Sequence, residues 1–267
     1  MNEKLDLRKV EYSKNDLRLG IKVPEYLTEE LAYFIGYHVG DGYMKIVRRG
    51  KAVDYRLVYD GHSINQYLEY WEVIKPLIKK LFNKEVIPKK TKTGTVTIYF
   101  CSKAILTFLH YCCCITLSPK KSIDVPITIK NSTLRMKSHF IRGLADTDFS
   151  LMFKRRGTYP QINHATCSRN LHESLKVLLQ EFRFSFYFAT YHRERKGTKT
   201  ISYQIDISGK KNLQKWMEII GCASYNTLTR YQVWKETGSL SPRTDINERI
   251  KILKERGITP LQVTPQM

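Results

Sequence analysis

A helix-forming segment that ends in an acidic turn occurs twice in this chain, 107 residues apart, and this repetition constrains the fold more than any other feature. The first copy reads Leu31-Ala-Tyr-Phe-Ile-Gly-Tyr-His-Val-Gly-Asp41-Gly42. The second reads His139-Phe-Ile-Arg-Gly-Leu-Ala-Asp-Thr-Asp148-Phe149-Ser150. Gly36 falls on Gly143 and Asp41 on Asp148 without a gap, and a basic, strand-like stretch follows each acid. Such a chain is expected to fold as two related halves.

The agreement extends beyond the motifs. Arg48-Arg49-Gly50 returns as Arg155-Arg156-Gly157 and Lys92-Thr93 as Lys199-Thr200, while Ile98, Lys103 and Leu106 return as Ile205, Lys210 and Leu213. The local patterns repeat too. Thr28 caps a helix reaching Gly40, with Glu29 and Glu30 in its first turn. Strands are expected at about 43–49 and 52–60, and a helix at about 64–82 that buries Leu68, Trp71, Ile74 and Ile78. Strands at about 85–89 and 95–101 and a helix from Lys103 to Cys114 complete the first half. The second is expected to follow the same order, with a helix at 133–147, strands at 149–156 and 159–166, a helix at 170–182, strands at 185–192 and 200–207, and a helix at 210–220. Further helices are expected at 223–238 and 245–256. This is an α+β plan of two pseudo-symmetric αββαββα halves, 1–118 and 131–267, joined by a linker over 119–130.

The acids carry the chemistry. An Asp at a helix C-terminus meets the negative end of the dipole. Two such ends brought together gather carboxylates and unpaired carbonyls, which a divalent cation relieves; Mg²⁺ prefers such hard oxygen ligands. Gly36, Gly40, Gly143 and Ala145 leave little side chain between the helices, so close approach is expected. The alternative is that each Asp merely caps a turn.

Composition names the partner class. Lys and Arg number 45 against 25 Asp and Glu, a formal charge of +20, which suits a polyanion such as nucleic acid. No run of residues is long enough to span a bilayer, and the start has no apolar signal region. Six cysteines include the consecutive Cys112, Cys113 and Cys114 but no C-x-x-C pair, so they read as small buried residues in a reducing, cytoplasmic setting.

Both motifs resemble the LAGLIDADG motif of homing endonucleases, read in Phe34-Ile-Gly-Tyr-His-Val-Gly-Asp41-Gly42 and Ile141-Arg-Gly-Leu-Ala-Asp-Thr-Asp148-Phe149. The run from Val125-Pro126 to Asp148 is similar to the approach to the second motif in archaeal-type members, and the Tyr231-Gln-Val-Trp234-Lys tail extends the likeness. The resemblance implies a monomeric, single-chain, pseudo-dimeric enzyme whose saddle-shaped antiparallel sheets lie in the major groove of a long, asymmetric double-stranded DNA site. It implies that Asp41 and Asp148 bind metal, Mg²⁺ or a substituting Mn²⁺ or Ca²⁺, assisted by the main-chain carbonyls of Gly40 and Thr147. Each metal would then promote hydrolysis of one phosphodiester on each strand. Lys120 fits the central basic position of the family; an ordinary solvated linker lysine is the alternative. Its counterpart in the second half falls on Asn226 or Thr227, neither basic, and Phe149 replaces the glycine that follows the first acid. His38 reads as a helix-packing or water-exposed histidine rather than a catalytic one, and Asp146 as secondary.

Strand alternation sorts the DNA-facing candidates. With Val53, Tyr55, Leu57 and Tyr59 turned to the helices, Asp54, Arg56 and Val58 face outward, as do Thr97 and Tyr99. Gln161 and Asn163 alternate with Ile162, and Gln204 and Asp206 with Ile205. Lys45, Arg48, Arg49, Lys154, Arg155, Arg156, Arg193, Arg195 and Lys199 lie in strand ends and hairpin turns, suited to phosphate and base contacts. A free-standing, intron-encoded nuclease is the expected function, since no splicing domain flanks the motifs. An RNA maturase acting on its own intron and a non-catalytic DNA-binding regulator are the alternatives.

Overall fold

The computed structural model describes residues 3–119, 122–195 and 198–259. Packing divides the chain into two compact units, Met1–Lys121 with Pro126–Leu144 and Ser122–Val125 with Ala145–Met267. The expected division at 119–130 follows the sequence repeat. The packing division lies instead inside the second motif helix, whose residues up to Leu144 belong with the first unit.

The first unit opens with an arm for which the sequence carried no expectation. Lys4 bridges to Tyr26, and α1 (Lys14–Arg18) begins in a Ser13–Asp16 capping box. The buried Asp16 carboxylate also accepts from Ser102 Oγ at 2.7 Å and from the Lys103 and Ala104 amides at 3.1 and 3.2 Å. One acid thus satisfies backbone donors at the starts of both α1 and α5 (Lys103–Thr107).

Thr28 accepts the Leu31 amide at 3.2 Å to start α2 (Glu29–Gly40). Its sequence is apolar on nearly every side, and Leu31 through Val39 are all buried. The helix α7 (Leu134–Asp148) crosses it within the first unit at the paired glycines. A methyl on Gly36 would stand 2.0 Å from the Phe140 carbonyl oxygen, and one on Gly143 2.0 Å from that of Tyr33, so backbone meets backbone. Glu29 pairs with Arg135 and with His139 Nε2 at 3.2 Å, so the two helices run in the same sense through the contact.

After α2 come β1 (Gly42–Arg49) and β2 (Ala52–His62). Next is a continuous helical stretch of α3 (Tyr67–Glu69), a π turn (Tyr70–Ile74) and α4 (Lys75–Phe82). The π turn corrects the expected burial. Its extra residue shifts the helical phase, so Glu69 and Tyr70 are buried while Leu68 is 42% exposed; Ile74 and Ile78 stay inside as expected. The strand expected at 85–89 is only β3 (Lys89–Lys90), and Pro88, lacking an N–H, stands just before pairing begins. β4 (Thr95–Cys101), α5 and a π turn at Phe108–Cys112 follow, and α6 (Ile127–Lys130) occupies part of the expected linker.

The second unit repeats the plan with β5 (Phe149–Lys154), β6 (Tyr159–Thr166), α8 (Arg169–Glu181), β7 (Tyr187–Arg195), β8 (Thr198–Ser208) and α9 (Lys210–Ile219). It ends in α10 (Tyr225–Thr237) and α11 (Ile246–Glu255). Each unit holds a four-stranded antiparallel sheet, ordered β1-β2-β4-β3 and β5-β6-β8-β7, the same first-second-fourth-third sequence. One face of each carries the core: Met44, Leu57, Tyr59, Ile98 and Phe100 in the first, Phe149, Leu151, Ile162, Ile205 and Ile207 in the second. The cysteines are free; Cys112 and Cys113 are buried as expected, whereas Cys114 is exposed at φ 57°. Among the described residues no helix is long and apolar enough to cross a membrane.

Candidate active centre and nucleic-acid interface

Asp41 is the C-cap of α2, its amide bonded to the Tyr37 carbonyl at 3.1 Å, and its side chain is half-buried. Gln66 donates its amide to Asp41 Oδ2 at 3.1 Å while its own Oε1 accepts the His62 amide at 2.7 Å. The end of β2 and the start of α3 therefore hold this acid in place. Gly61 makes room for that arrangement, since a methyl there would meet Gln66 Oε1 at 2.7 Å and the Tyr70 hydroxyl at 2.9 Å. Burial, with the fields of nearby acids that include Asp41, pushes the phenols of Tyr37 and Tyr70 well above their ordinary range. Sequence reading missed Gln66 and Tyr70. Neither repeats in the second half, and the π turn that brings Tyr70 inward leaves no signature in the apolar pattern.

His38 is a packing residue, fully buried, with Nδ1 2.7 Å from the Tyr59 hydroxyl. Its ring also explains the residue after each acid. A methyl at Gly42 would stand 2.5 Å from the His38 ring, so only glycine fits there. In the second half the position of His38 is taken by Ala145, and the vacated volume receives Phe149, which packs on His164 at 4.6 Å and Trp216 at 5.5 Å between ring centroids. The departure at Phe149 is thus a volume exchange, and β5 still begins directly after Asp148, as β1 does after Asp41.

Asp148 is the last residue of α7 and, like Thr147, is half-buried. Asp146 faces elsewhere. Its carboxylate accepts the Ala223 amide at 3.1 and 3.0 Å and the Ser224 amide at 3.1 Å, anchoring the start of α10. Lys120 lies outside the described residues. Among the described residues no group of three or more His, Cys, Asp or Glu side chains forms a ready-made metal cluster. What each motif offers is one carboxylate at the negative end of a helix, beside terminal carbonyls such as those of Gly40 and Thr147. That hard-oxygen set suits Mg²⁺ or a similar ion, completed by water and phosphate rather than by further side chains.

Strand register settles which residues share the outer sheet faces. Lys45 lies opposite Arg56, Tyr43 opposite Val58, and Thr97 opposite both Asp60 and Lys89. Arg49, Asp54 and Tyr99 share this face, whereas Arg48 falls on the helix-side parity and is exposed near the end of the strand, opposite the exposed Val53. Lateral contacts pre-order these side chains: Arg56 pairs with Asp54 at 2.7 Å, and Thr97 donates to Asp60 at 2.5 Å. In the second unit Ser150, Lys154, Asn163, Gln204 and Asp206 share the outer parity. Asp206 accepts from Asn163 at 2.6 Å and from Gln204 at 3.0 Å. Gln161 has the right parity but is only 3% exposed, so its amide is not presented for base contact in this conformation. Arg155 and Arg156 adopt left-handed φ of 52° and 57° in the exposed β5–β6 turn. Arg193, Arg195 and Lys199 stand opposite Thr200, Thr198 and Glu194 in the β7–β8 ladder. Sequence reading missed Tyr43, Lys89, Tyr187 and Tyr191 on these faces, because the ladder partners that place them are distant in the chain.

Residues 135–221, from α7 through α9, match the family model described as the LAGLIDADG-like domain. A solved structure of I-DmoI in complex with DNA and Mn superposes with a TM-score of 0.54 at 17% identity, covering 73% of this chain and 97% of that one. I-DmoI in complex with DNA and Ca gives 0.51 at 18% identity, covering 72% and 90%. Mesophilic variants described as coming from the homing endonuclease I-DmoI also give 0.51, at 16% identity, covering 73% and 96%. A curated protein of Methanocaldococcus jannaschii, described as a probable translation initiation factor IF-2, is 24% identical over 224 residues. That match takes in 80% of this chain but 18% of the relative, so the chain spans less than a fifth of its length. Residues 135–221 thus carry a LAGLIDADG-like domain, within a chain that shares its fold with I-DmoI.

Proposed function

We propose that this protein is a divalent-metal-dependent DNA endonuclease of the homing type, with Asp41 and Asp148 as its two metal-binding acids. The observation that carries the reading is the pairing, in each unit, of a helix-terminal carboxylate with an antiparallel sheet whose outer face is polar and basic. A sheet of this kind fits the major groove, where side chains such as Arg56, Asn163 and Gln204 match guanine and adenine edges. The formal charge of +20 supplies the phosphate attraction. Similarity to I-DmoI, solved with DNA and with Mn or Ca, supports the same substrate class and cofactor.

In this reading each acid, with the Gly40 or Thr147 carbonyl, holds one cation. When bound, such an ion polarises a scissile phosphate and makes its water a stronger nucleophile. The chain itself does the positioning. Gln66 holds the Asp41 carboxylate, the sheet faces fix the register of the duplex, and Lys120 is proposed to steady charge at the centre.

The test is cleavage of a randomised duplex library and of the joined sequences flanking the gene, with Mg²⁺, Mn²⁺, Ca²⁺ or EDTA. Asp41→Asn and Asp148→Asn are assayed beside the parent chain. Metal-dependent double-strand cutting, reduced by either substitution to nicking or to nothing, is the expected result. Tight, sequence-selective binding without cutting under any metal would replace the nuclease with a regulator, and preferential binding of intron RNA would point to a maturase.

A further inference from the structure

The second half lacks a lysine at the position matching Lys120, yet a cation stands close by. In the first unit the Met44 carbonyl, three residues after Asp41, accepts the Ser118 amide at 2.8 Å, and Ser118 Oγ accepts the Met44 amide at 3.3 Å. Ser118 immediately precedes Pro119 and Lys120. The residue three after Asp148 is Leu151, and its carbonyl accepts Arg230 Nη1 at 3.2 Å instead. The same backbone acceptor is therefore met by a loop amide in one half and by a guanidinium in the other. Arg230 lies on α10, one helical turn beyond Asn226 and Thr227, the residues that replace the missing lysine.

Arg230 is held by neutral acceptors, while the carboxylates of Asp245 and Glu248 act on the neighbouring Arg249 only at a distance. Arg230 Nε reaches Asn226 Oδ1 at 3.4 Å, and the buried Arg249 donates Nη2 to the same oxygen at 2.6 Å. Among the described residues neither guanidinium forms an ion pair with a carboxylate, and no acceptor takes Arg230 Nη2. Two arginines converging on one neutral oxygen leave a positive spot that an anion would stabilise. Arg230 is only half-buried, and Leu151 lies roughly 10 Å along the strand from Asp148 at ~3.3 Å per residue.

We propose that Arg230 is a DNA-phosphate-binding residue of the second half-site, supplying there the charge that the Leu117–Lys120 segment brings to the first. The inference rests on the nuclease reading for its consequence in cutting, but not for its consequence in binding. Arg230→Gln, Arg230→Lys and the control Arg18→Gln on exposed α1 are compared in two measurements. The first is duplex affinity as a function of salt, in Ca²⁺. Arg230→Gln is expected to lower the slope of log K against log salt by about 0.9, the value of one lost phosphate contact, while Arg230→Lys and Arg18→Gln keep it. The second is strand-resolved cleavage, in which Arg230→Gln slows one strand roughly 10-fold or more relative to the other. A purely structural tie would lower the melting temperature of both Arg230 variants and leave the salt slope unchanged, which overturns the proposal. A parent chain that binds but never cuts removes the nuclease reading alone, since the slope still decides Arg230. Equal slowing of both strands with an unchanged slope removes Arg230 and spares the nuclease.

Discussion

Replacing Gly36 by alanine separates two ordinary rules of helix energetics. Inside an exposed helix the change gains about 1 kcal/mol of propensity. Here the new methyl would stand 2.0 Å from the Phe140 carbonyl oxygen and 2.9 Å from the Leu144 nitrogen. A carbon normally approaches a carbonyl oxygen to about 3.3 Å, so α2 and α7 must part by roughly 1.3 Å at the crossing. A gap of about 0.5–1 Å already forfeits a quarter to a half of a dispersion contact, so a parting of this size forfeits at least about half along the seam. The neighbouring atoms are backbone and cannot rotate away, which places the cost at the upper end of overpacking, about 3 kcal/mol, with the propensity gain already outweighed. Gly143→Ala meets the Tyr33 carbonyl at the same 2.0 Å and should cost the same. Because both report one crossing, the double variant should cost clearly less than the sum of the singles; helices already parted by one methyl accommodate the second. Urea unfolding with an unchanged m-value measures all three. A stabilised Gly36→Ala, or strict additivity in the double variant, would refute the close crossing.

Asp146→Ala should behave as a structural lesion. Losing charge-assisted bonds to the Ala223 and Ser224 amides costs about 2–3 kcal/mol in chemical unfolding and impairs cutting of both strands alike. Gln66→Ala, by contrast, should change stability by no more than about 1 kcal/mol while slowing one strand roughly 10-fold, since it frees the Asp41 carboxylate to rotate; equal slowing of both strands would count against that role. Burial lowers the His164 imidazole to about 4 from the 6.5 expected of an unfolded chain. The unfolded state then binds more protons between those values. The His164 contribution is therefore intact above pH 6.5 and is lost as pH falls toward 4, by about 3 kcal/mol in all. His164→Phe should flatten that limb of the stability profile; an unchanged acid limb would show that another group controls it.

The sequence alone determined the repeat, the order of elements in both halves and the two motif acids. Those are local properties: apolar runs of helical length, alternating strands, caps such as Thr28, and an acid at the end of each motif. It also set which glycines had to face each other, since Gly36 and Gly143 occupy the same place in each copy. Tertiary structure decided the rest, because those features depend on partners remote in the chain. The π turn at Tyr70–Ile74 reversed the expected burial of Leu68, and Gln66 became a partner of Asp41 only through the return of β2. Asp146, one turn-face away from Asp148, became a helix anchor rather than a second acid because α10 starts beneath it. Phe149 fits because Ala145 stands where His38 does in the first half, a compensation visible only once Gly42 is seen against the His38 ring. Arg230 reaches the Leu151 carbonyl across 79 residues of chain, a distance in sequence at which no local pattern carries information.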